Sequence, residues 1–168
     1  VDREDQANDN AEALYRYLST HRPDINAWFA VSKKSPDFKR LKREGFKIVA
    51  YRSKAHFNLV KEARVLASAQ ADLNIVQPFP KSVAAPIPTF IFLQHGVIKD
   101  SLDKWLNPKS IDMFVTSTEP EFNSIAGNLN PYNYSRKEMV LTGLPRHDRL
   151  FEIQSKRSSE PRERTIII

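Results

Sequence analysis

Short runs of mostly apolar residues alternate with longer amphipathic segments along almost the whole chain. The runs are four to six residues long and lie at residues 27–31, 46–51, 64–69, 89–93, 111–115 and 138–141. Parallel strands that are covered by helices on both faces have this composition, because both sides of the strand are buried. The pattern therefore predicts a strand at each of these runs.

The segments between the runs have the features of helices. Helical spacing predicts helices at 11–20, 38–44, 54–63 and 119–127, a helical turn at 101–106 and a last helix that begins near Pro145. Suitable caps precede the first three helices: Asn8, Asp9 or Asn10, then Ser35, then Ser53. Residues 70–88 contain four prolines and are predicted to form a loop.

This alternation of strand and helix predicts an α/β fold with a doubly wound parallel sheet. In such sheets ligands bind beyond the carboxyl ends of the strands, where the chain turns into the next helix. Three loops have this position, namely 94–96 (QHG), 116–119 (TSTE) and 142–146 (TGLPR). The sequence therefore predicts a ligand site at one edge of the sheet.

Both ends of the chain have a distinctive composition. Residues 155–164 are polar and contain Pro161, whereas 165–168 are apolar and mostly β-branched. We therefore expect one domain over residues 1–154, a linker over 155–164 and the start of a second domain at 165–168. Val1 and Asp2 have the character of the last residues of a strand, so we expect the first strand to be incomplete.

The overall composition is that of a globular protein. Of the 168 residues, 40% are hydrophobic and 27% are charged, and there is no cysteine. The absence of cysteine excludes disulfides and thiolate metal sites, and no two histidines have the spacing of metal ligands. No metal or cofactor is predicted. No apolar run approaches the roughly 20 residues that span a bilayer.

Positive charge is concentrated in one segment of the chain. The formal net charge is +6, and Lys33–Lys47 contains seven Lys or Arg against Asp37 and Glu44. This segment is interpreted either as a solvated helix face or as a patch for anionic lipid or polymer phosphate. No recognised nucleic-acid-binding motif accompanies it, so nucleic acid is not a predicted partner.

His95 is the leading candidate for chemistry. It follows a strongly apolar strand and precedes Gly96, which would allow the backbone to approach a ligand closely. Imidazole changes its protonation near neutral pH and suits a general base that activates a hydroxyl group. The alternative is that His95 is only a structural residue of the turn.

Two further loops carry candidate phosphate ligands. Ser117 and Thr118 are either caps of the following helix or ligands of a phosphate at its amino-terminal end. Arg146 stands where the last helix begins and could bind a phosphate, with Arg149 about one turn along. Glu119 is interpreted as a first-turn carboxylate that favours the helix dipole.

These motifs together resemble the CDP-glycerol glycerophosphotransferase family, which includes teichoic acid polymerases and related capsule polymer synthases. The residues that carry the resemblance are ANDNAEALYRYL, FLQHGVIKD with the following WLN, VTSTEPE and TGLPRHDRL, in this order across residues 7–150. The resemblance implies a Rossmann-like domain that forms the amino-terminal, acceptor-side half of a GT-B fold.

The resemblance also implies a reaction. His95 would remove the proton of the terminal hydroxyl of a polyol-phosphate or lipid-linked acceptor. That oxygen would attack the β-phosphorus of CDP-glycerol or CDP-ribitol, and CMP would leave. The family implies an enzyme peripheral to the cytoplasmic face of the cell membrane, with most of the donor site on a second domain outside this chain. The isolated fragment is therefore expected to be inactive.

Two other functions remain open at this point. One is a GT-B glycosyltransferase that uses a nucleotide sugar, and the other is a non-catalytic module that binds an anionic polymer or a membrane. The sequence does not distinguish glycerol from ribitol as the transferred alcohol.

Overall fold

A computed structural model describes residues 1–79 and 86–157, in which helices and strands alternate as the sequence predicts. The strands are β1 (Phe29–Val31), β2 (Ile48–Ala50), β3 (Val65–Ser68), β4 (Thr89–Phe92), β5 (Met113–Thr116) and β6 (Met139–Leu141). The helices are α1 (Asn10–His21), α2 (Pro36–Arg43), α3 (Lys54–Glu62), α4 (Leu73–Val76), α5 (Asp103–Leu106), α6 (Glu119–Ala126) and α7 (His147–Arg157).

All strand pairs in the described residues are parallel. β3, β4, β5 and β6 form a four-stranded sheet in that order, and β1 pairs with β2 in a separate two-stranded sheet. The register aligns Leu66 with Phe90 in the first pair of the larger sheet. The parallel, helix-linked sheets confirm the predicted α/β, Rossmann-like fold class.

The amino-terminal residues lie between the two sheets. The Val1 backbone nitrogen donates to the Ala67 carbonyl oxygen at 3.0 Å, and the Ala69 amide donates to the Val1 carbonyl oxygen at 3.0 Å. Val1 also packs in one apolar cluster with Ala30 of β1 and Val49 of β2. The strand order therefore reverses beside Val1, and a ligand crevice is expected at the carboxyl edge of such a reversal.

Side chains of β4 and β5 alternate between two hydrophobic cores. Phe92 and Phe114 belong to a core that includes Ile125 of α6, whereas Leu93 and Val115 belong to a core that includes Tyr15 of α1. Successive strand residues point to opposite faces, so both faces of the sheet are buried under helices. This arrangement is the physical reason for the continuous apolar runs in the sequence.

Two details differ from the sequence-based expectations. The predicted loop 70–88 contains the short helix α4, in which Ile75 and Val76 are buried in the larger core. Helix α7 continues to Arg157, so residues 155–157 of the predicted linker are helical. The remainder of that linker and the predicted second-domain residues 165–168 lie outside the described residues.

Candidate active site

A sharp turn follows β4 and presents His95 to solvent. Gln94 has a φ angle of 57°, in the left-handed region that residues with a Cβ rarely adopt. Its side chain is buried, whereas the next residue, His95, is exposed. The imidazole of His95 makes no hydrogen bond or ion pair with any residue in the described parts of the chain, so it is available to an external group.

The side chain of Gln94 connects the β4 turn to the loop after β5. Its Nε2 donates to the Val115 carbonyl oxygen at 2.6 Å and to Oε1 of Glu121 at 3.2 Å. Glu121 is itself buried, and its carboxylate accepts from the amides of Ile98 at 2.9 Å and Ser117 at 3.0 Å. One carboxylate thus holds the segment after His95 and the start of α6 together.

Asn10 connects the same turn to the first and last helices. Its fully buried side chain donates from Nδ2 to the Gln94 carbonyl oxygen at 2.7 Å. Its Oδ1 accepts from the Arg146 amide at 3.1 Å. Because Asn10 is the first residue of α1, the amino-terminal end of that helix is fixed against both the β4 turn and the loop after β6.

Arg146 lies beside the turn that carries His95. Its Nη1 donates to Oδ1 of Asp9 at 2.9 Å. A Cβ built on Gly96 would lie 3.9 Å from its Nη2, which is an ordinary van der Waals distance. The guanidinium is therefore held next to the His95–Gly96 backbone. Gly96 does not have a positive φ, so its backbone conformation does not itself require glycine.

Ser117 and Thr118 have different environments in the loop before α6. Thr118 is the N-cap of α6, because its hydroxyl accepts from the Glu121 amide at 3.3 Å. The Oγ of Ser117 is buried and has no hydrogen-bond partner in the described residues. The capping interpretation therefore applies to Thr118, while the hydroxyl of Ser117 remains without a structural role.

A groove of about 720 Å³ runs between α1 and α7 and reaches Arg146. Its wall contains both charge signs, including Glu12, Arg40, Arg149 and Glu152. Burial raises the pKa of Glu12, but hydrogen bonds from Arg40 and Arg16 outweigh that effect and hold the pKa below its ordinary value. The part of the groove wall around Glu12 is thus a network of paired charges.

The structure places all five predicted site residues in the loops at the carboxyl edge of the sheet. His95 and Gly96 are in the β4 turn, the Arg146 guanidinium lies beside Gly96, and Ser117 is tied to the same turn through Glu121. Thr118 follows Ser117 but is exposed, with its hydroxyl occupied as a cap. No three metal-ligating side chains come together in the described residues.

Sequence reasoning missed the buried polar residues that hold the turn, namely Asn10, Gln94 and Glu121. The sequence contains a signal for two of these three residues. Glu121 stands three residues after Thr118, the spacing of a capping box, in which the carboxylate bonds to a backbone amide before the helix. Gln94 is a polar residue directly after an apolar run, where burial requires hydrogen-bond partners.

The fold and this edge define a parallel α/β domain with a histidine-bearing loop at the carboxyl edge of its sheet. The model of the CDP-glycerol:poly(glycerophosphate) glycerophosphotransferase family matches residues 1–168. The chain belongs to this family of transferases, and the resemblance predicted from the sequence motifs is confirmed.

A curated relative supports the same assignment. The chain is 38% identical over 157 residues to the minor teichoic acid biosynthesis protein GgaB of Bacillus subtilis strain 168. The match covers 89% of this chain and 17% of GgaB, so the chain spans about a sixth of the length of that relative. No solved structure matches the chain significantly.

Proposed function

We propose that this chain is the acceptor-side domain of a phosphotransferase that transfers glycerol phosphate or ribitol phosphate from its CDP derivative to a growing polymer. The acceptor is a teichoic acid or capsule polymer, or its lipid-linked precursor. The observation that carries the proposal is the exposed imidazole of His95, which has no partner in the described residues, on a turn that lies beside the guanidinium of Arg146. A base and a cation beside each other suit the transfer of a phosphoryl group to a hydroxyl.

The reaction uses His95 as a general base. Its imidazole takes the proton of the acceptor hydroxyl, and the hydroxyl oxygen forms a new bond to the β-phosphorus of the CDP-alcohol. The bond between that phosphorus and the bridging oxygen breaks, and CMP leaves with the bond electrons. Positioning and neutralisation of charge supply most of the catalysis in such transfers. We assign the neutralisation to Arg146, together with the hydroxyl of Ser117 and the amides of Gly96 and Thr118.

The donor nucleotide is proposed to bind mainly to residues outside this chain, in the opposite half of a GT-B architecture. The large unmatched part of GgaB supports this division, since the relative is much longer than the matched region. We therefore expect the isolated chain to release no CMP from CDP-glycerol, even in the presence of acceptor.

The decisive experiment incubates the full-length protein with CDP-glycerol, CDP-ribitol and nucleotide sugars in separate reactions with acceptor. Release of CMP from one of the CDP-alcohols is expected. Release of nucleotide from a sugar donor alone would instead identify a glycosyltransferase, and binding of polymer with no release would identify a non-catalytic module.

His95→Ala tests the assigned base in the same assay. Polymer synthesis should be lost while donor binding is retained, and unchanged synthesis would remove His95 from the mechanism. His21→Ala is a matched control, because His21 is also an exposed histidine. It lies at the far end of α1, about 16 Å along the helix from Asn10.

The enzyme is further proposed to work at the inner face of the cell membrane, as a peripheral protein. No helix in residues 1–79 or 86–157 is long and apolar enough to cross a membrane. Lys39, Lys42 and Arg43 of α2 are exposed and supply positive charge for anionic lipid headgroups. Arg40 is different, because it pairs with Glu12, Asp37 and Glu44.

The membrane proposal is tested by neutralising Lys39, Lys42 and Arg43 to Gln while keeping Arg40. Binding of the full-length protein to vesicles that contain phosphatidylglycerol should weaken, and the effect should diminish at high salt. The matched control neutralises three exposed lysines on other elements, Lys54, Lys104 and Lys137. Equal binding by the α2 variant and the wild type would show that α2 does not contact the membrane.

A further inference from the structure

The turn that presents His95 is in an unfavourable backbone conformation. Gln94 has a positive φ of 57° although it carries a Cβ, and residues with a Cβ avoid this region because the side chain crowds the following carbonyl oxygen. Such conformations persist only where surrounding contacts hold them. The contacts that hold Gln94 therefore determine the direction in which the chain leaves β4.

The holding contacts come from three separate parts of the fold. The Gln94 amide group bonds to the Val115 carbonyl oxygen and to the Glu121 carboxylate, and the Gln94 carbonyl oxygen accepts from Asn10. Both side chains that bond to Gln94 are buried, and so is Gln94 itself. Water therefore does not compete for these bonds.

We propose that Gln94 is a positioning residue for the transfer reaction, whose anchored side chain maintains the left-handed turn that directs the imidazole of His95 toward the acceptor. This inference rests on the proposed role of His95 as the base. Gln94 itself is buried and does not contact the substrate. Its effect reaches the reaction through the backbone of the next residue.

Loss of the Gln94 side chain is expected to weaken the stabilisation of the transition state and not the binding of substrates. A base that is displaced by about 1 Å from its productive position loses on the order of 100-fold in rate. Binding of the acceptor and of the donor depends on other groups and should change little. Loss of Gln94 should therefore lower kcat and leave both KM values nearly unchanged.

Two substitutions separate the effect of the Gln94 side-chain hydrogen bonds from the effect of the residue's reluctance to adopt a positive φ. Gln94→Ala removes the side-chain bonds and keeps a Cβ, so the turn relaxes and kcat should fall about 100-fold. Gln94→Gly removes the same bonds, but glycine adopts a positive φ without crowding. The glycine variant should retain about tenfold more kcat than the alanine variant, because a larger fraction of its molecules keeps the turn.

Tyr134→Phe provides the matched control for stability. The buried hydroxyl of Tyr134 donates to the carbonyl oxygens of Leu106 and Lys109, at 2.7 and 2.9 Å, and lies outside the site. This variant also loses buried hydrogen bonds to backbone groups, so its thermal stability should fall as that of Gln94→Ala falls. Its kcat per folded molecule should equal that of the wild type.

All variants are measured in the full-length protein with CDP-glycerol and acceptor, and rates are divided by the folded fraction. Wild-type kcat in Gln94→Ala, with His95→Ala inactive, would overturn the positioning role and leave the base assignment intact. An active His95→Ala would overturn the proposed function itself. Equal kcat values in the alanine and glycine variants would show that the left-handed turn is not what Gln94 maintains.

Discussion

The guanidinium of Arg40 forms a bidentate ion pair with the carboxylate of Glu12. Nη1 and Nη2 of Arg40 lie 3.0 and 2.8 Å from Oε1 and Oε2 of Glu12, which is almost fully buried. The pair joins α2 to α1, whose first residue anchors the β4 turn. One arginine of the basic segment therefore has a structural function inside the domain, while Lys39, Lys42 and Arg43 of α2 face solvent.

Replacing Arg40 by Ala should destabilise the domain. The Glu12 carboxylate would remain buried with Arg16 as its remaining basic partner, and we expect the free energy of unfolding to fall by about 2 kcal/mol. Chemical denaturation measures this change. Lys42→Ala, a matched change on the exposed side of the same helix, should alter stability by less than about 0.5 kcal/mol. Equal losses in both variants would contradict the assigned pair.

His56 should make the stability of the domain depend on pH. Burial lowers the pKa of His56 to about 4, against 6.5 ordinarily. Between these values the unfolded chain binds a proton that the folded chain does not. Stability is therefore complete above pH 6.5 and falls toward pH 4, by up to about 1.4 kcal/mol per pH unit.

Denaturation of the wild type and of His56→Phe over pH 4–7 isolates this contribution. The difference between the two is needed because burial raises the pKa of Asp2, which makes stability change in the opposite direction as pH falls. In His56→Phe the free energy of unfolding should no longer fall steeply between pH 6.5 and pH 4, whereas in His21→Ala it should still do so. If the free energy of unfolding depended on pH in the same way in wild type and His56→Phe, the assignment of a buried neutral imidazole to His56 would be wrong.

The adjacent hydroxyls of Ser117 and Thr118 should respond differently to removal. Thr118→Ala loses the N-cap of α6 and should cost about 1 kcal/mol. Ser117→Ala removes a buried hydroxyl that has no partner in the described residues, so stability should stay the same or rise slightly. Thermal unfolding compares the two variants. A rise in KM for Ser117→Ala without a loss of stability would support the proposed phosphate contact.

Two glycines at loop ends should differ in their tolerance of alanine. Gly143 has a φ of 81°, and an added Cβ meets nothing within 4 Å, so the penalty is purely conformational, about 1–2 kcal/mol. Gly96 lacks a positive φ, and an added Cβ would meet Arg146 at an ordinary distance. Gly96→Ala should therefore stay within about 0.5 kcal/mol of the wild type in denaturation experiments. The reverse order of losses would contradict this assignment.

The sequence predicts the fold well because its signals are local. Ser35 and Ser53 cap the helices that they precede, and Gly45 has the left-handed conformation that ends a helix. The apolar runs of β4 and β5 are continuous because both faces of the sheet are covered there. Helix α4 is not predicted, because it is a single turn within a proline-rich segment. Its buried apolar residues Ile75 and Val76 pack in the core.

The candidate site is only partly predictable, because its support consists of contacts between distant residues. Loop position identifies His95, Gly96 and Arg146, since all carboxyl ends of parallel strands meet at one edge. The side chains that hold the His95 turn bond to backbone groups that the sheet leaves without partners, and the sequence alone does not show which groups these are. The sequence offers Asn10 as a possible cap, but Asp9 is the N-cap. The side-chain amide of Asn10 instead donates to the Gln94 carbonyl oxygen and accepts from the Arg146 backbone amide.

Asn10 also makes the site a late product of folding. It bonds to residues that follow it by 84 and 136 positions in the chain. Contacts of such long sequence separation close large loops and form only when most of the intervening structure is in place. During synthesis the three contacts that hold Gln94 therefore cannot all form until the chain has been made past Glu121, and the bond from Asn10 to Arg146 forms later still. A partly folded domain does not yet hold His95 in its final orientation.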